Sequence, residues 1–256
     1  MMGLHGIATA NPAAQQRSVD RGLRWMLSME CQGGGWASFD VDNTKRFLTQ
    51  IPFADFGETL DPPTADVAAH VLELLGRLGY TAEFPPARRG LRFLYRLQEP
   101  DGSWWGRWGV NYLYGLGAVL PALAALGESM SQPAVRRAVE WLRNHQRPDG
   151  GWGEGCESYA DPSRAGAGPA TPSQTAWALL ALIAAGEADS DAAARGVQYL
   201  IDRQQSDGAW DEPEFTGTGF PTDFMINYHL YRHYFPLMAL GRYRRAMVPG
   251  RPARGP

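Results

Sequence analysis

The sequence predicts an all-α protein built from four stacked pairs of helices. Three observations lead to this fold class: a turn closed by tryptophan that recurs along the chain, an amphipathic helical pattern before each turn, and a more apolar helical pattern after it. The clearest copies of the turn read EPDGSW, RPDGGW and QSDGAW. Recurrence of this kind is typical of repeat proteins, in which each copy buries its apolar face against its neighbours.

Aligning the turns on their tryptophans reveals a longer unit. An arginine is followed directly by a small residue, then by an aromatic residue, a glutamine and a tryptophan at about four, nine and fifteen positions after the arginine. Complete copies start at Arg89, Arg137 and Arg195. An earlier copy, starting at Arg21, is degenerate, because Glu30 replaces the glutamine and its turn lacks the Asp-Gly pair. The paired residues are Gln98 and Trp104, Gln146 and Trp152, and Gln204 and Trp210, with Trp36 in the degenerate copy.

The first helix of each pair is amphipathic by pattern. In the second copy, Leu91, Leu94 and Leu97 recur at three-residue spacing with arginines on the opposite side. The Asp-Gly pair then ends the helix, since glycine supplies the backbone freedom that a helix C-terminus requires.

The second helix of each pair is more apolar, which predicts that these helices form an inner layer. The clearest start has Thr171 as N-cap, Pro172 at the first helical position and Gln174 completing a capping-box pattern. The remaining inner helices are predicted in TADVAAHVLELLGRLGY, NYLYGLGAVLPALAALG and FMINYHLYRHYFPLMALG.

The recurring tryptophan and glutamine have a structural interpretation. An indole after each turn can pack across to the neighbouring pair, while the glutamine amide hydrogen-bonds nearby backbone. Pairs that cannot bury their faces alone must stack, either as a solenoid or closed into a ring.

Composition narrows the functional classes. The chain has 256 residues, 44% of them hydrophobic, which is enough for one domain with a substantial core. A net charge of -3 argues against a nucleic-acid partner. The two cysteines, Cys31 and Cys156, have neither disulfide-framework nor metal-ligand spacing, which favours the cytoplasm. We recognise no secretory signal, and no apolar run reaches the roughly 20 residues that a spanning helix needs.

The repeat resembles the QW motif of squalene-hopene and oxidosqualene cyclases. Further segments resemble, in order, the C-terminal part of a bacterial squalene-hopene cyclase from about Ser18 to Arg245; they are FDVDN, IPFADFGETLDPP, the helix of His70, GRWGVNYLYG, TPSQTAWALLALIA, EFTGTGFPTDF and YRHYFPLMALGRY. The resemblance implies an α/α barrel of the α6-α6 toroid type, here incomplete with about four helix pairs. It implies barrel structure over residues 18–246, a poorly structured N-terminus over 1–17 and a flexible tail over 247–256.

The resemblance also implies a function. Members of the family cyclise squalene to hopene and hopanol through carbocations, use no metal or cofactor, and associate with one face of a membrane, which for this chain implies the inner membrane. Two residues favour squalene over oxidosqualene as the substrate: Asn111, where the eukaryotic oxidosqualene enzymes typically carry cysteine, and His70, which matches the partner of the acid in the squalene enzymes.

This chemistry requires a strong acid and a dry pocket whose aromatic faces stabilise cations. By resemblance, His70 hydrogen-bonds the acid and tunes it, with Asp61 as a second partner, whereas Asp40 and Asp42 are assigned to structure. Phe224, Tyr228, Tyr231 and Phe235 also recur as an ordinary buried helix face would, and Phe235 is assigned to the core. The positions that match the aromatic cavity wall are Phe39, Trp108, Tyr114, Phe220, Phe224, Tyr228 and Tyr231, and Phe53 and Ala54 match the constriction of the substrate channel.

The acid itself is missing, because the sequence contains no Asp-x-Asp-Asp tetrad. We therefore expect the chain alone to be inactive and to need the N-terminal half of a cyclase or self-association. Two alternatives stay open: a cyclase portion that acts on another polyprene, and a non-catalytic α/α-repeat module that binds an isoprenoid or a protein. A metal-dependent prenyl-diphosphate enzyme is disfavoured, since no Asp-Asp-x-x-Asp cluster is present.

Overall fold

The computed structural model describes residues 7–50, 59–221 and 223–248. These residues form eight α-helices and one small antiparallel sheet. The helices are α1 Pro12–Ser28, α2 Ala65–Arg77, α3 Pro85–Arg96, α4 Tyr112–Ala125, α5 Pro133–Asn144, α6 Pro172–Ala184, α7 Asp191–Asp202 and α8 Tyr231–Met247, and the strands are β1 Gly217–Phe220 and β2 Phe224–Ile226.

The helices form two layers, as the sequence predicts. Helices α2, α4, α6 and α8 lie side by side in chain order and make up the inner layer. Helices α1, α3, α5 and α7 alternate with them along the chain, and α3 and α7 pack against α2 and α6. Nearly all of α4 and α6 is buried, which explains why their sequences are apolar on every side. The predicted four helix pairs are confirmed.

Two boundaries differ from the sequence-based expectation. The segment at Phe224, expected to be helical, forms strand β2, because the glycine-rich strand β1 pairs with it; α8 begins only at Tyr231. Helix α1 begins at Pro12, where the Asn11 side chain accepts a hydrogen bond from Ala14 N at 3.0 Å. Residues 12–17 are therefore helical, although they were assigned to a poorly structured N-terminus.

The motif tryptophans Trp36 and Trp152 each join their own helix pair to the next. An added Cβ on Gly90 of α3 would lie 3.0 Å from the Trp36 ring, and one on Gly196 of α7 would lie 2.6 Å from the Trp152 ring. The indole therefore packs across to the neighbouring pair, as predicted, and the small residue of that pair makes room for it. Each indole Nε1 also donates to a carbonyl ten residues earlier, at 2.7–2.9 Å: Trp36 to Met26, Trp104 to Leu94, Trp152 to Leu142 and Trp210 to Leu200.

The motif glutamine makes a second link between neighbouring pairs. Gln98 Nε2 donates to the carbonyl of Gly102 in its own turn at 2.9 Å and to that of Ala134 in α5 at 2.8 Å. Arg137, which starts the next copy, donates to Gln98 Oε1. Gln146 repeats this arrangement with the Gly150 and Ala192 carbonyls and with Arg195.

The degenerate first copy keeps its link through a different chemistry. Glu30, which stands in place of the glutamine, accepts from both Nε and Nη2 of Arg89 at 2.6 Å. Such a two-pronged ion pair is stronger than the single bond from arginine to an uncharged glutamine oxygen that it replaces. The substitution therefore preserves the junction between the first and second pairs.

Candidate active site

Two adjacent inner helices bring His70 and Tyr114 together. His70 lies midway along α2, Tyr114 lies in the first turn of α4, and the Nε2 to hydroxyl distance is 2.9 Å. Tyr114 is buried, with its ring 4.9 Å from that of Trp177. Burial, with a contribution from the charge of Asp66, raises the pKa of Tyr114 well above its ordinary value. The phenol is therefore neutral near pH 7 and can donate to His70 or accept from it.

Asp66 is a buried carboxylate that the sequence analysis did not single out. Its Oδ2 accepts hydrogen bonds from the backbone N–H groups of Arg107 and Trp108 at 3.0 and 2.9 Å, and its Oδ1 accepts from the Thr64 hydroxyl at 2.6 Å. Asp66 precedes His70 by four residues, so both lie on one face of α2. The sequence signal for Asp66 was its position one helical turn before His70, on the same face of α2.

Trp108 lies between the inner helices and the loop that follows the first motif turn. Its indole Nε1 donates to Ser38 Oγ at 2.6 Å, and its ring meets Phe39 edge to face with centroids 5.7 Å apart. Phe39 is 72% exposed, so its ring borders open space on its other side. The structure thus places Phe39 and Trp108 in contact.

Asp61 holds the loop that carries Phe39. Its Oδ2 accepts from the backbone N–H groups of Phe39 and Asp40, the latter at 2.8 Å. Among the residues that the structure describes, no hydrogen bond joins Asp61 to His70.

Asp40 and Asp42 serve the same loop. Asp40 accepts from the Asn43 side chain at 2.9 Å, and Asp42 accepts from Gln32 N at 2.9 Å. Both carboxylates therefore stabilise local structure, which agrees with the role assigned to them from the sequence.

The start of α8 adds further aromatic rings. Tyr228 and Tyr231 stack with centroids 4.7 Å apart, and Tyr231 and Phe235 both meet Trp177 edge to face, at 5.9 and 5.4 Å. Burial and the neighbouring tyrosines raise the pKa of Tyr231. Phe235 packs against the core, as predicted.

The small sheet connects its phenylalanines to the Trp108 loop. Phe220 and Phe224 face each other across the two strands, and Phe224 is 46% exposed. Thr218 N donates to the Trp108 carbonyl at 3.1 Å, so the sheet is fixed to the backbone that carries Trp108. Phe53 and Ala54, expected at the channel constriction, lie outside the described residues.

Several of these candidate residues line an open apolar cleft of about 490 Å³. It lies beside Val67 and Val71, which flank His70 on α2, and it includes three of the predicted aromatic positions. A wall of this composition suits an apolar chain, and its aromatic faces can stabilise a cation. The lining residues are Trp25, Met26, Met29, Trp36, Ala37, Ser38, Phe39, Val67, Val71, Trp108 and Tyr228.

Comparison with known proteins identifies close relatives. The family model described as "Squalene-hopene cyclase C-terminal domain" matches residues 1–245. Squalene-hopene cyclase of Alicyclobacillus acidocaldarius is 62% identical over 230 residues, which are 90% of this chain and 36% of that protein. Squalene-hopene cyclase of Schizosaccharomyces japonicus is 50% identical over 94% of this chain and 37% of its own length. The chain thus spans little more than a third of these relatives.

The comparisons also include a relative named for a different product and a solved structure that shows the fold. Dammaradiene synthase of Dryopteris crassirhizoma is 42% identical over 95% of this chain and 39% of that protein. A type II terpene cyclase from Scytonema, solved with merosterolic acid A, aligns with a TM-score of 0.63 at 19% identity over 93% of this chain and 69% of that chain. The likeness confirms the predicted all-α fold of the α/α-barrel class.

Proposed function

Because the chain belongs to the squalene-hopene cyclase C-terminal domain family, we propose that it forms the C-terminal part of an enzyme that cyclises squalene, or a similar linear polyprene, to hopene and hopanol. The observation that carries this proposal is the His70–Tyr114 hydrogen bond beside an apolar cleft with aromatic walls. The proposed reaction is an isomerisation through carbocations, as in class II triterpene cyclases.

His70 is proposed to hold and tune the acid that starts the reaction. Its Nε2 is engaged with Tyr114, whereas its Nδ1 makes no hydrogen bond with the residues that the structure describes. That second nitrogen is the group that we expect to face the carboxyl acid. The neutral phenol of Tyr114 then fixes the orientation of the imidazole through their hydrogen bond.

The aromatic residues are proposed to stabilise the positive charge as it moves along the substrate. A cation over an aromatic face gains about 0.5 to 2 kcal/mol, and more where water is excluded. Phe39, Trp108 and Tyr228 all line the cleft, and a cation that moves along it meets more than one ring. Phe220, Phe224 and Tyr231 are proposed to extend this wall, and Phe53 and Ala54 to line the substrate channel.

We propose that the acid lies in a part of the enzyme that this sequence does not contain, since the sequence has no Asp-x-Asp-Asp tetrad. The cleft beside Val67 and Val71, near the start of α2, supports such a partner, whereas further along α2 the Arg242–Glu73 ion pair brings α8 against it. We propose that an inner helix from the N-terminal half of a cyclase packs there and presents its acid to His70.

We further propose that the assembled protein associates peripherally with the cytoplasmic face of the inner membrane. None of the helices in the described ranges is both long and apolar enough to cross a bilayer. Support for surface association comes from large apolar side chains in solvent, such as Phe47, 63% exposed, and Phe215, 55% exposed. Flotation with vesicles of phosphatidylglycerol tests this point, and a chain that stays at the bottom of the gradient contradicts it.

The central experiment is product analysis after incubation with squalene, for this chain alone and for this chain co-expressed with an N-terminal cyclase half that carries the acid motif. We expect hopene only from the combination, detected by gas chromatography and mass spectrometry. His70→Ala should abolish the product, while His145→Ala, a histidine stacked on Trp141 of the outer helix α5, should not. Hopene from the chain alone, or a combination that forms but makes no cyclised product, would contradict the proposal.

A further inference from the structure

The loop that carries Trp108 is short, and two longer loops contact it. Residues 105–111, the Trp108 loop, connect the second motif tryptophan to α4, whereas residues 153–171 and 211–230 make the equivalent connections to α6 and α8. The last of these contains β1, where Thr218 N donates to the Trp108 carbonyl at 3.1 Å. The loop of residues 153–171 bonds to the same backbone from another element.

Tyr159, in the loop of residues 153–171, bonds to the backbone on both sides of Trp108. Its hydroxyl oxygen lies 2.9 Å from the Arg107 carbonyl oxygen and 2.7 Å from that of Gly109. A phenol has one hydrogen to donate, so the two carbonyls converge on it and share it. Burial, with contributions from two nearby carboxylates, raises the pKa of Tyr159 well above its ordinary value. The hydroxyl therefore keeps its hydrogen at neutral pH.

The surroundings of Tyr159 restrict its movement. Its ring meets that of Trp105 edge to face, with centroids 5.8 Å apart. The preceding residue, Ser158, is buried, and its hydroxyl oxygen accepts a hydrogen bond from Asn111 Nδ2 at 3.3 Å. The loop of residues 153–171 thus contacts the Trp108 loop near both of its ends, which fixes the tyrosine hydroxyl opposite its two acceptors.

We propose that Tyr159 is a positioning residue that sets the orientation of the Trp108 indole in the wall of the cleft. Asp66 accepts from the N–H groups of Arg107 and Trp108, while Tyr159 donates to the carbonyls of Arg107 and Gly109. The Trp108 loop is therefore held through both its donors and its acceptors.

Removal of the phenol hydroxyl should displace the indole. Two carbonyls would lose this donor, and because such groups are costly to leave unbonded, the backbone should move to reach another donor or water. The inference rests on the proposed function only in that Trp108 acts on the substrate; the positioning of the indole itself can be measured without any reaction.

Fluorine NMR of the full chain labelled with 5-fluorotryptophan measures that positioning. Trp108→Phe assigns the Trp108 signal, and Tyr159→Phe should shift or broaden this signal more than any other except that of Trp105, which touches the Tyr159 ring. Tyr199→Phe is the matched control, because its hydroxyl donates to the Ala170 carbonyl at 2.7 Å, outside the Trp108 loop. It should leave the Trp108 signal in place.

Circular dichroism shows whether each variant folds. Ser158→Ala provides a second variant, which removes the bond to Asn111 and should move the Trp108 signal in the same direction by a smaller amount. A Trp108 signal that is unmoved in folded Tyr159→Phe, or that Tyr199→Phe moves equally, would overturn the proposal.

Product formation from squalene, in the enzyme reconstituted with an N-terminal cyclase half, measures the consequence for the reaction. Tyr159→Phe should lower kcat/KM about fivefold or more, because a displaced group at the site costs rate steeply. In a Trp108→Phe background the same change should cost less than about twofold, since the indole that it positions is gone. Tyr199→Phe should leave kcat/KM unchanged in both backgrounds.

The two measurements separate this inference from the proposed function. A loss from Tyr159→Phe that is equally large in both backgrounds would mean that Tyr159 acts independently of Trp108, which overturns the inference. Absence of product from the reconstituted parent enzyme would contradict the proposed function instead, and the fluorine signals would still decide whether Tyr159 positions Trp108.

Discussion

Glu73 on the first inner helix and Arg242 on the last form an ion pair, Oε1 to Nη2 at 3.0 Å. Glu73 is buried, and Arg77, one turn further along α2, donates to the same oxygen at 2.7 Å. Burial acts to raise the pKa of Glu73, but the two arginines outweigh it, and the pKa lies below its ordinary value. The pair thus links α2 directly to α8, between which α4 and α6 lie in the layer.

Arg242→Met should lower the free energy of unfolding by about 1 to 3 kcal/mol near pH 7, because it leaves a buried carboxylate with one partly exposed partner. Since folding lowers the pKa of Glu73, its contribution is present above the ordinary pKa of 4.5 and is lost as the pH falls below it. Urea unfolding of both proteins at neutral and acidic pH measures this. The control Arg77→Met should cost under about 1 kcal/mol, and an equal loss in the two variants would contradict a special role for Arg242.

The motif tryptophan packs so closely on the small residue of the next unit that we expect no larger side chain to fit at that residue. Gly196→Val should destabilise the protein by about 1 to 3 kcal/mol, since even a Cβ would come within 2.6 Å of the Trp152 ring. Gly241→Ala on α8 is the comparison, because an added Cβ there meets nothing within 4 Å and alanine favours helix. Thermal unfolding should show a lower Tm for the first variant and an unchanged or higher Tm for the second.

Glu154 predicts a pH dependence of the opposite sign. It is buried, and its Oε2 accepts from the backbone N–H groups of Asn111 and Leu113 at 3.2 and 3.1 Å, in the turn that leads to Tyr114. Burial raises its pKa, and the hydrogen bonds offset this only in part. A folded pKa above the unfolded one means that stability falls as the pH rises from the ordinary value of 4.5 through the folded pKa.

Glu154→Gln should remove this dependence, so that the variant gains stability relative to the parent chain as the pH rises from about 4.5 to 7. Unfolding free energies measured across that range provide the check. The exposed Glu157, three residues on, receives the same substitution as a control. Parallel curves for the parent chain and Glu154→Gln would show that the carboxylate is not buried as described.

Most of the fold could be predicted from the periodicity of the sequence. The sequence repeats its helix pairs in register, so the inner and outer layers follow from the arginine, glutamine and tryptophan positions. Strand β2 escaped prediction because three residues are too few to show an alternating pattern. The capping-box prediction at α6 was half correct. Thr171 does cap Gln174 N. The Gln174 side chain, however, accepts from Glu154 N in the loop before α6 and donates to the Val110 carbonyl in the preceding pair.

The candidate site was harder to predict from the sequence than the fold. His70 and Tyr114 are 44 residues apart, and only the resemblance singled them out together. Asp66 went unnoticed because a lone acid near a helix start is commonly a local cap. Its actual partners, the backbone of Arg107 and Trp108, lie about forty residues away, beyond what local patterns reveal.

Asp66 should therefore position Trp108. Asp66→Ala leaves two buried N–H groups without an acceptor and should lower the free energy of unfolding by about 2 to 5 kcal/mol. Asp66→Asn keeps one carbonyl acceptor and should cost less. Near-ultraviolet circular dichroism reports the tryptophan environment, and an unchanged spectrum in a folded Asp66→Ala protein would contradict the positioning role.

The hydrogen bond between His70 and Tyr114 makes the sharpest prediction for activity, measured in the enzyme reconstituted with an N-terminal half. Tyr114→Phe keeps the buried ring but removes the hydroxyl, and should reduce kcat by about ten- to a hundredfold; His70→Gln, which removes the imidazole, should reduce it by about 10² to 10⁴. If the two residues act as one unit, the double variant should be little worse than His70→Gln alone. Tyr95→Phe removes a partly buried hydroxyl bonded to Glu128 on the outer side and should leave kcat unchanged. Multiplicative losses in the double variant would mean that Tyr114 acts on the substrate independently of His70.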